Sequence, residues 1–126
     1  MNHPSTPLRR WLPALAIMAV IYYASSTPSR ELPQFGAWDF LVKKGGHFSG
    51  YALLGAAYAY AFALQRGPRS TWLEVGVAVG LALLYALSDE FHQNFTPGRT
   101  PSPTDIAIDT AGALTGASLY KHKLSA

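Results

Sequence analysis

The stretch Phe48–Leu64 (FSGYALLGAAYAYAFAL) carries no charge, and Thr71–Ser88 carries one, Glu74, near its start. Few folds accommodate such segments. A helix on the surface of a soluble protein shows an apolar stripe backed by a charged face, whereas both of these are apolar all round. Leu8–Ser25, preceded and opened by Arg9 and Arg10, and Thr104–Tyr120, which holds Asp105 and Asp109, make two further blocks. Each is near the ~20 residues that cross the hydrocarbon core of a bilayer, the fourth marginally. The expected fold is an all-α integral membrane four-helix bundle, one domain over residues 1–126, with spans at about 8–25, 46–64, 71–89 and 104–120. Charged residues make up 13% of the chain, against about 25% in ordinary soluble domains. That scarcity argues against a disordered or nucleic-acid-binding tail. A soluble all-α bundle is the competing reading. A mean hydropathy of only +0.10 favours it, although the polar connections dilute that average. Without cysteine, the chain offers no disulfide, zinc-thiolate site or thiol nucleophile.

The net charge of +3 is spread between the apolar blocks. With the N-terminus inside, Arg9, Arg10, Arg66, Arg69, Lys121 and Lys123 fall on the cytoplasmic side, and Arg30, Lys43, Lys44 and Arg99 on the other, a modest positive-inside bias. Of the acidic residues only Glu74 falls inside. Glu31, Asp39, Asp89, Glu90, Asp105 and Asp109 gather outside, so both termini are expected in the cytoplasm and the chemistry at the outer membrane face. Trp11 and Trp72 suit the inner aromatic belt, and Trp38 the outer. The first block also fits a cleaved signal peptide ending near Ala24-Ser25-Ser26. An uncleaved span is preferred, because the polar face would otherwise lose a wall. Residues Thr27–Trp38 read as an irregular loop, Arg66-Gly67-Pro68-Arg69 as a tight inner turn, and His92–Pro103, with three prolines and Gly98, as a link that cannot be one continuous helix.

Three polar groups lie at the outer ends of the spans. Lys43, His47 and Tyr51 stand at i, i+4, i+8 on one helical face, and Lys44 pairs with His47 at i, i+3. Asp89, His92 and Gln93 share a face, with Glu90 just round the corner. Carboxylates there oppose the helix dipole, so a cation should hold them, with Arg99 and the two lysines as candidates. Ser102, Pro103 and Asp105 form a helix-start signature with Pro at the first helical position. Asp109 lies a full turn deeper, where an unpaired carboxylate costs several kcal/mol. Gly112 and Gly116 permit a close approach by a neighbouring helix, or by a second copy of the chain.

The order K-x-x-H-x-x-x-Y, D-E-x-H-Q-x-F-x-P-G-R and D-x-x-x-D-x-x-G-x-x-x-G over residues 40–118 resembles the VanZ-like family of small bacterial membrane proteins. Its most specific part is Glu90-x-x-Gln93 followed by Pro97-Gly98-Arg99. The resemblance implies a link to teicoplanin, the glycopeptide for which the founding protein is known, and marks Lys44, His47, Tyr51, Glu90, Gln93, Arg99, Asp105 and Asp109. At the last of these the family often has Asn, so Asp109 adds a charge. The name supplies no reaction, and whether the chain is an enzyme stays open.

One reading is a site acting on a lipid-linked envelope component. Glu90 or Asp109 would be the general base and His47 a second acid/base, with Arg99 and Lys44 as charged clamps. Tyr51, Asp89, Gln93 and Asp105 would complete the binding surface. The alternatives are a non-catalytic headgroup binder and a purely structural ion-pair network. His47, His92 and the carboxylates suit a divalent ion chemically, but no fixed metal-ligand spacing is present, and the sequence identifies no cofactor. The expected partners are membrane lipids, an anionic envelope lipid or lipid-linked precursor among them, and no nucleic acid.

Overall fold

The computed structural model describes residues 7–66 and 71–125. Four α-helices account for most of them: α1 (Pro7–Ser26), α2 (Asp39–Arg66), α3 (Trp72–Gln93) and α4 (Pro103–Ser125). Among the described residues there is no strand. The helices begin where the sequence supplies a start. Thr71 is extended, and its hydroxyl accepts the Glu74 amide at 3.4 Å, while α4 opens with Pro103, whose missing N–H costs nothing there. Every helix outruns its expected span. The largest extension is that of α2, which starts at Asp39 and passes through Gly45 and Gly46 unbroken, its first turns tied by a Lys43–Asp39 pair at 2.8 Å. Residues Thr27–Trp38 form the expected irregular loop, with two short 3-10 turns. The turn expected over Gly67, Pro68 and Arg69 lies outside the described residues.

Polarity is inverted relative to a soluble bundle. Buried positions hold Asp89, Glu90, Gln93, Asp105 and Asp109, while Leu15, Val20, Leu53, Leu84 and Leu119 face outward. The apolar core is built largely from alanine, with Tyr51 and Leu54 the largest apolar side chains fully enclosed. Water would make this arrangement costly, whereas lipid solvates the outer leucines as well as a protein interior does. One helix, Trp72–Gln93, is long and apolar enough on its own to cross a membrane. In the other three, charges dilute the average: Arg9 and Arg10 at the start of α1, and Lys43, Lys44, Asp105 and Asp109 at the polar end.

The most extensive helix contact joins α2 and α4, which run parallel. Gly112 faces the Phe48 carbonyl, Gly55 the Ala113 carbonyl and Gly116 the Ala52 carbonyl, each so close that a Cβ would overlap it. The small-residue contact expected of Gly112 and Gly116 is thus made within the chain. Because α2 occupies that face, a second copy cannot pair through it. On the other side α1 joins through Tyr85 Oη, which donates to the Met18 carbonyl at 2.6 Å. Trp11 meets Tyr58 and Phe62 edge-on, with centroids 6.1 and 5.5 Å apart. It therefore packs against the core, not in an aromatic belt, whereas Trp38 and Trp72 face outward.

These contacts set a contrast between glycines. Gly116→Leu is expected to destabilise the fold by at least the ~1–3 kcal/mol of ordinary overpacking. Gly80→Ala, where a Cβ meets nothing within 4 Å, should be neutral or stabilising by up to ~1 kcal/mol. Thermal unfolding of both variants in detergent checks this; equal tolerance at the two positions would contradict the packing.

Candidate functional site

The C-terminal ends of α1 and α3 and the N-terminal ends of α2 and α4 meet at one end of the bundle. There α1, α2, α3 and the segments that follow α1 and α3 line a cavity of about 270 Å³, just below the ~300–1,000 Å³ typical of small-molecule sites. Its polar lining consists of Ser25, Lys43, His47, Tyr51, Asp89, Gln93 and Arg99. The i, i+4, i+8 alignment of Lys43, His47 and Tyr51 is therefore real, and α1 supplies the wall that the first span was expected to give.

His47 Nδ1 lies 2.9 Å from Asp109 Oδ1, and Asp109 is 0% exposed. With an ionised Asp109 the proton of that hydrogen bond sits on Nδ1. Nε2 is then the ring nitrogen left to accept or pass a proton in the cavity, the geometry by which a carboxylate orients a histidine base. Behind the same wall Lys44 pairs with Asp105. Two polar pairs, one ionic and one hydrogen-bonded through His47, thus cross the α2–α4 interface one helical turn apart.

Two polar atoms at the cavity are buried without a hydrogen-bond partner, Tyr51 Oη and Asp89 Oδ2. Buried polar groups are nearly always satisfied, so these are the positions at which an added group gains most.

Glu90 is turned elsewhere. Its Oε2 accepts the Ser102 amide at 2.7 Å, so it anchors the link just before α4 and does not line the cavity. Neither Lys44, Asp105 nor Asp109 reaches the lining. They stand behind it, as partners of α2 and of one another. Arg99 does line it, but it does not take up the carboxylates of α3. Thr96, Pro97 and Gly98 make a turn in which Gly98 adopts φ +74° and the Arg99 amide returns to the Thr96 carbonyl at 3.1 Å. A Pro-Gly pair is suited to such a type II turn. The turn sends the guanidinium to the end of α1, where Nη2 donates to the Ala24 carbonyl at 2.7 Å and Nε to the Thr27 carbonyl at 3.2 Å. A cation at a helix C-terminus also meets the negative end of its dipole. The cation missing from the end of α3 serves α1 instead. His92 likewise turns to α1, 2.9 Å from Ser26 Oγ and stacked on Tyr22.

Among the described residues no group of three His, Asp or Glu side chains is placed to hold a metal ion. Reading the sequence for charge passed over Ile21, Ser25, Val42, Gly46 and Gly50, which also line the cavity. Val42, Gly46 and Gly50 were visible as a stripe one position before Lys43, His47 and Tyr51.

Helices with apolar exteriors around a polar cluster at one end define a helical bundle of the membrane class. Residues 8–124 match the VanZ/LLP1 family, and the chain belongs to that family. No curated protein and no solved structure matches it.

The buried His47–Asp109 pair predicts a coupling. His47→Leu or Asp109→Leu alone strands a buried polar partner and should lower stability by ~3–5 kcal/mol. The double variant should lose less than the sum, by a coupling of ~0.5–3 kcal/mol. Unfolding titrations in mixed detergent measure all four corners of the cycle, and strict additivity would show that the two side chains do not interact.

Proposed function

We propose that this protein binds the anionic polar head of a lipid-linked cell-envelope component in the cavity between α1, α2 and α3. In this reading all four helices span the inner membrane, the termini are cytoplasmic and the cavity faces outward. The observation that carries the reading is the pair of unpartnered buried atoms, Tyr51 Oη and Asp89 Oδ2, in a cavity also lined by Lys43, His47 and Arg99. A phosphate accepts from the tyrosine hydroxyl and the cations, and a glycerol or sugar hydroxyl donates to Asp89. Charge-assisted hydrogen bonds of this kind are roughly twice as strong as neutral ones. His47, held by Asp109, is the group positioned to move a proton to or from the bound head, so the same site supports chemistry on it as well as binding. The link to teicoplanin that the family resemblance implies would follow from sequestering or altering that lipid.

A structural reading also has specific support. Lys44 is committed to Asp105, Arg99 to the end of α1 and Glu90 to the Ser102 amide. These contacts tie the helices together, and Lys43 is paired with Asp39 within α2.

Tyr51→Phe separates the two readings. The hydroxyl has no partner, so its removal should leave thermal stability unchanged or slightly raised. Binding should weaken by about tenfold or more, the lower end of the ~1.5–3 kcal/mol of a hydrogen bond to a charged group. The measurement is a titration of phosphatidic acid against purified protein in phosphatidylcholine nanodiscs, read by native mass spectrometry. Unchanged binding in the variant, or none by the wild type, would overturn the proposal in favour of the structural reading.

A further inference from the structure

The cavity has two linings of unlike character. Its polar side has been described; its other side is apolar and open. Along α2, Val42, Gly46 and Gly50 stand at i, i+4, i+8 on one face, and Ile21 and Ala24 belong to the facing stretch of α1. Val42 is 44% exposed, and Gly46 and Ala24 are exposed as well. The same residues therefore line the cavity and form the outer surface, so the cavity opens sideways between α1 and α2. Gly46 keeps that opening wide, whereas at Gly50 the two helices draw together. A Cβ at Gly46 would meet nothing within 4 Å, and one at Gly50 only Ile21 Cγ1 at 3.9 Å. No charged side chain belongs to this wall.

We propose that the slot between α1 and α2 holds the first part of a hydrocarbon chain belonging to the same molecule whose head rests on the polar side. The inference depends on the head-binding reading above and narrows it to an amphiphile. A free, water-soluble phosphate ester would leave the apolar side unfilled, whereas a lipid matches both linings at once. The sideways opening also sets the route, because a lipid can enter from the bilayer without withdrawing its chain into water. The occupant follows from continuity. Val42, Gly46 and Ala24 line the cavity beside its polar groups and are also exposed on α1 and α2, so a head on the polar side has an apolar way out for its chain next to it.

The test compares sn-glycerol 3-phosphate with 1-hexanoyl-sn-glycerol 3-phosphate, titrated against the protein in phosphatidylcholine nanodiscs. Each methylene that moves from water into the slot should tighten binding by about fourfold. With only part of the chain engaged, the wild type should prefer the acylated probe by at least about tenfold. Gly46→Leu fills the slot at an open helical position and leaves His47, Tyr51 and Arg99 in place. It should reduce the preference to within about threefold while keeping the affinity for glycerol 3-phosphate, and Val42→Trp, one turn earlier, should do the same. Partitioning of the acylated probe into the disc is common to all forms and cancels in the comparison. Equal wild-type affinity for the two probes, or a preference that survives both substitutions, would overturn the slot and leave the head-binding reading intact. Binding of neither probe would overturn both.

Discussion

The parallel contact of α2 and α4 depends on glycine. At Gly55, Gly112 and Gly116 one helix presents its bare backbone to a carbonyl of the other, closer than any side chain permits. That separation brings Asp109 onto His47 and Asp105 onto Lys44. In a wider bundle the two carboxylates would stand in an apolar environment without partners, at several kcal/mol each. Small residues and buried charges are therefore parts of one arrangement. The glycines set the distance, and the two polar pairs use it.

A second tie holds the polar end together from the side of α1. The Thr96–Arg99 turn delivers a guanidinium to the open carbonyls at the end of that helix, and Thr96 Oγ1 donates to the Ser25 carbonyl at 3.2 Å. These links fix α1 against the end of α3, so the cavity has a third wall. The side toward α2 stays open at Gly46, where even a Cβ would meet nothing within 4 Å. Rigid polar contacts on one side and absent side chains on the other produce a cavity with a polar and an apolar half.

The four helices were legible in the sequence because uninterrupted apolar runs between prolines, glycines and charges leave little alternative. Their lengths were less so. Nothing in the Lys43–Gly46 stretch announces that α2 continues back to Asp39, and the Lys43–Asp39 pair that supports it appears only once the helix is formed. Helical spacing correctly put Lys43, His47 and Tyr51 on one face. It could not say which of two neighbouring lysines faces the cavity, since a turn of about 100° separates them and the position of α4 decides. Arg99 shows the same limit. Counting charges pairs a lone arginine with nearby carboxylates, but backbone carbonyls at a helix end compete for it and carry no signature in the sequence. The sequence offers Glu90 or Asp109 as a base with nothing to separate them, and in the structure Glu90 Oε2 accepts the Ser102 amide while Asp109 meets His47.

These features converge on one physical claim, that the cavity is occupied by the head of a lipid whose chain leaves between α1 and α2. The most direct measurement is an experimental density map of the wild-type protein in nanodiscs of native membrane lipid, at a resolution that distinguishes water from a bound headgroup. The account predicts headgroup density within hydrogen-bond reach of Tyr51 Oη and His47 Nε2, continuous with chain density past Gly46 and Val42. A cavity holding only ordered water, with lipid confined to the outer faces of the helices, would contradict it.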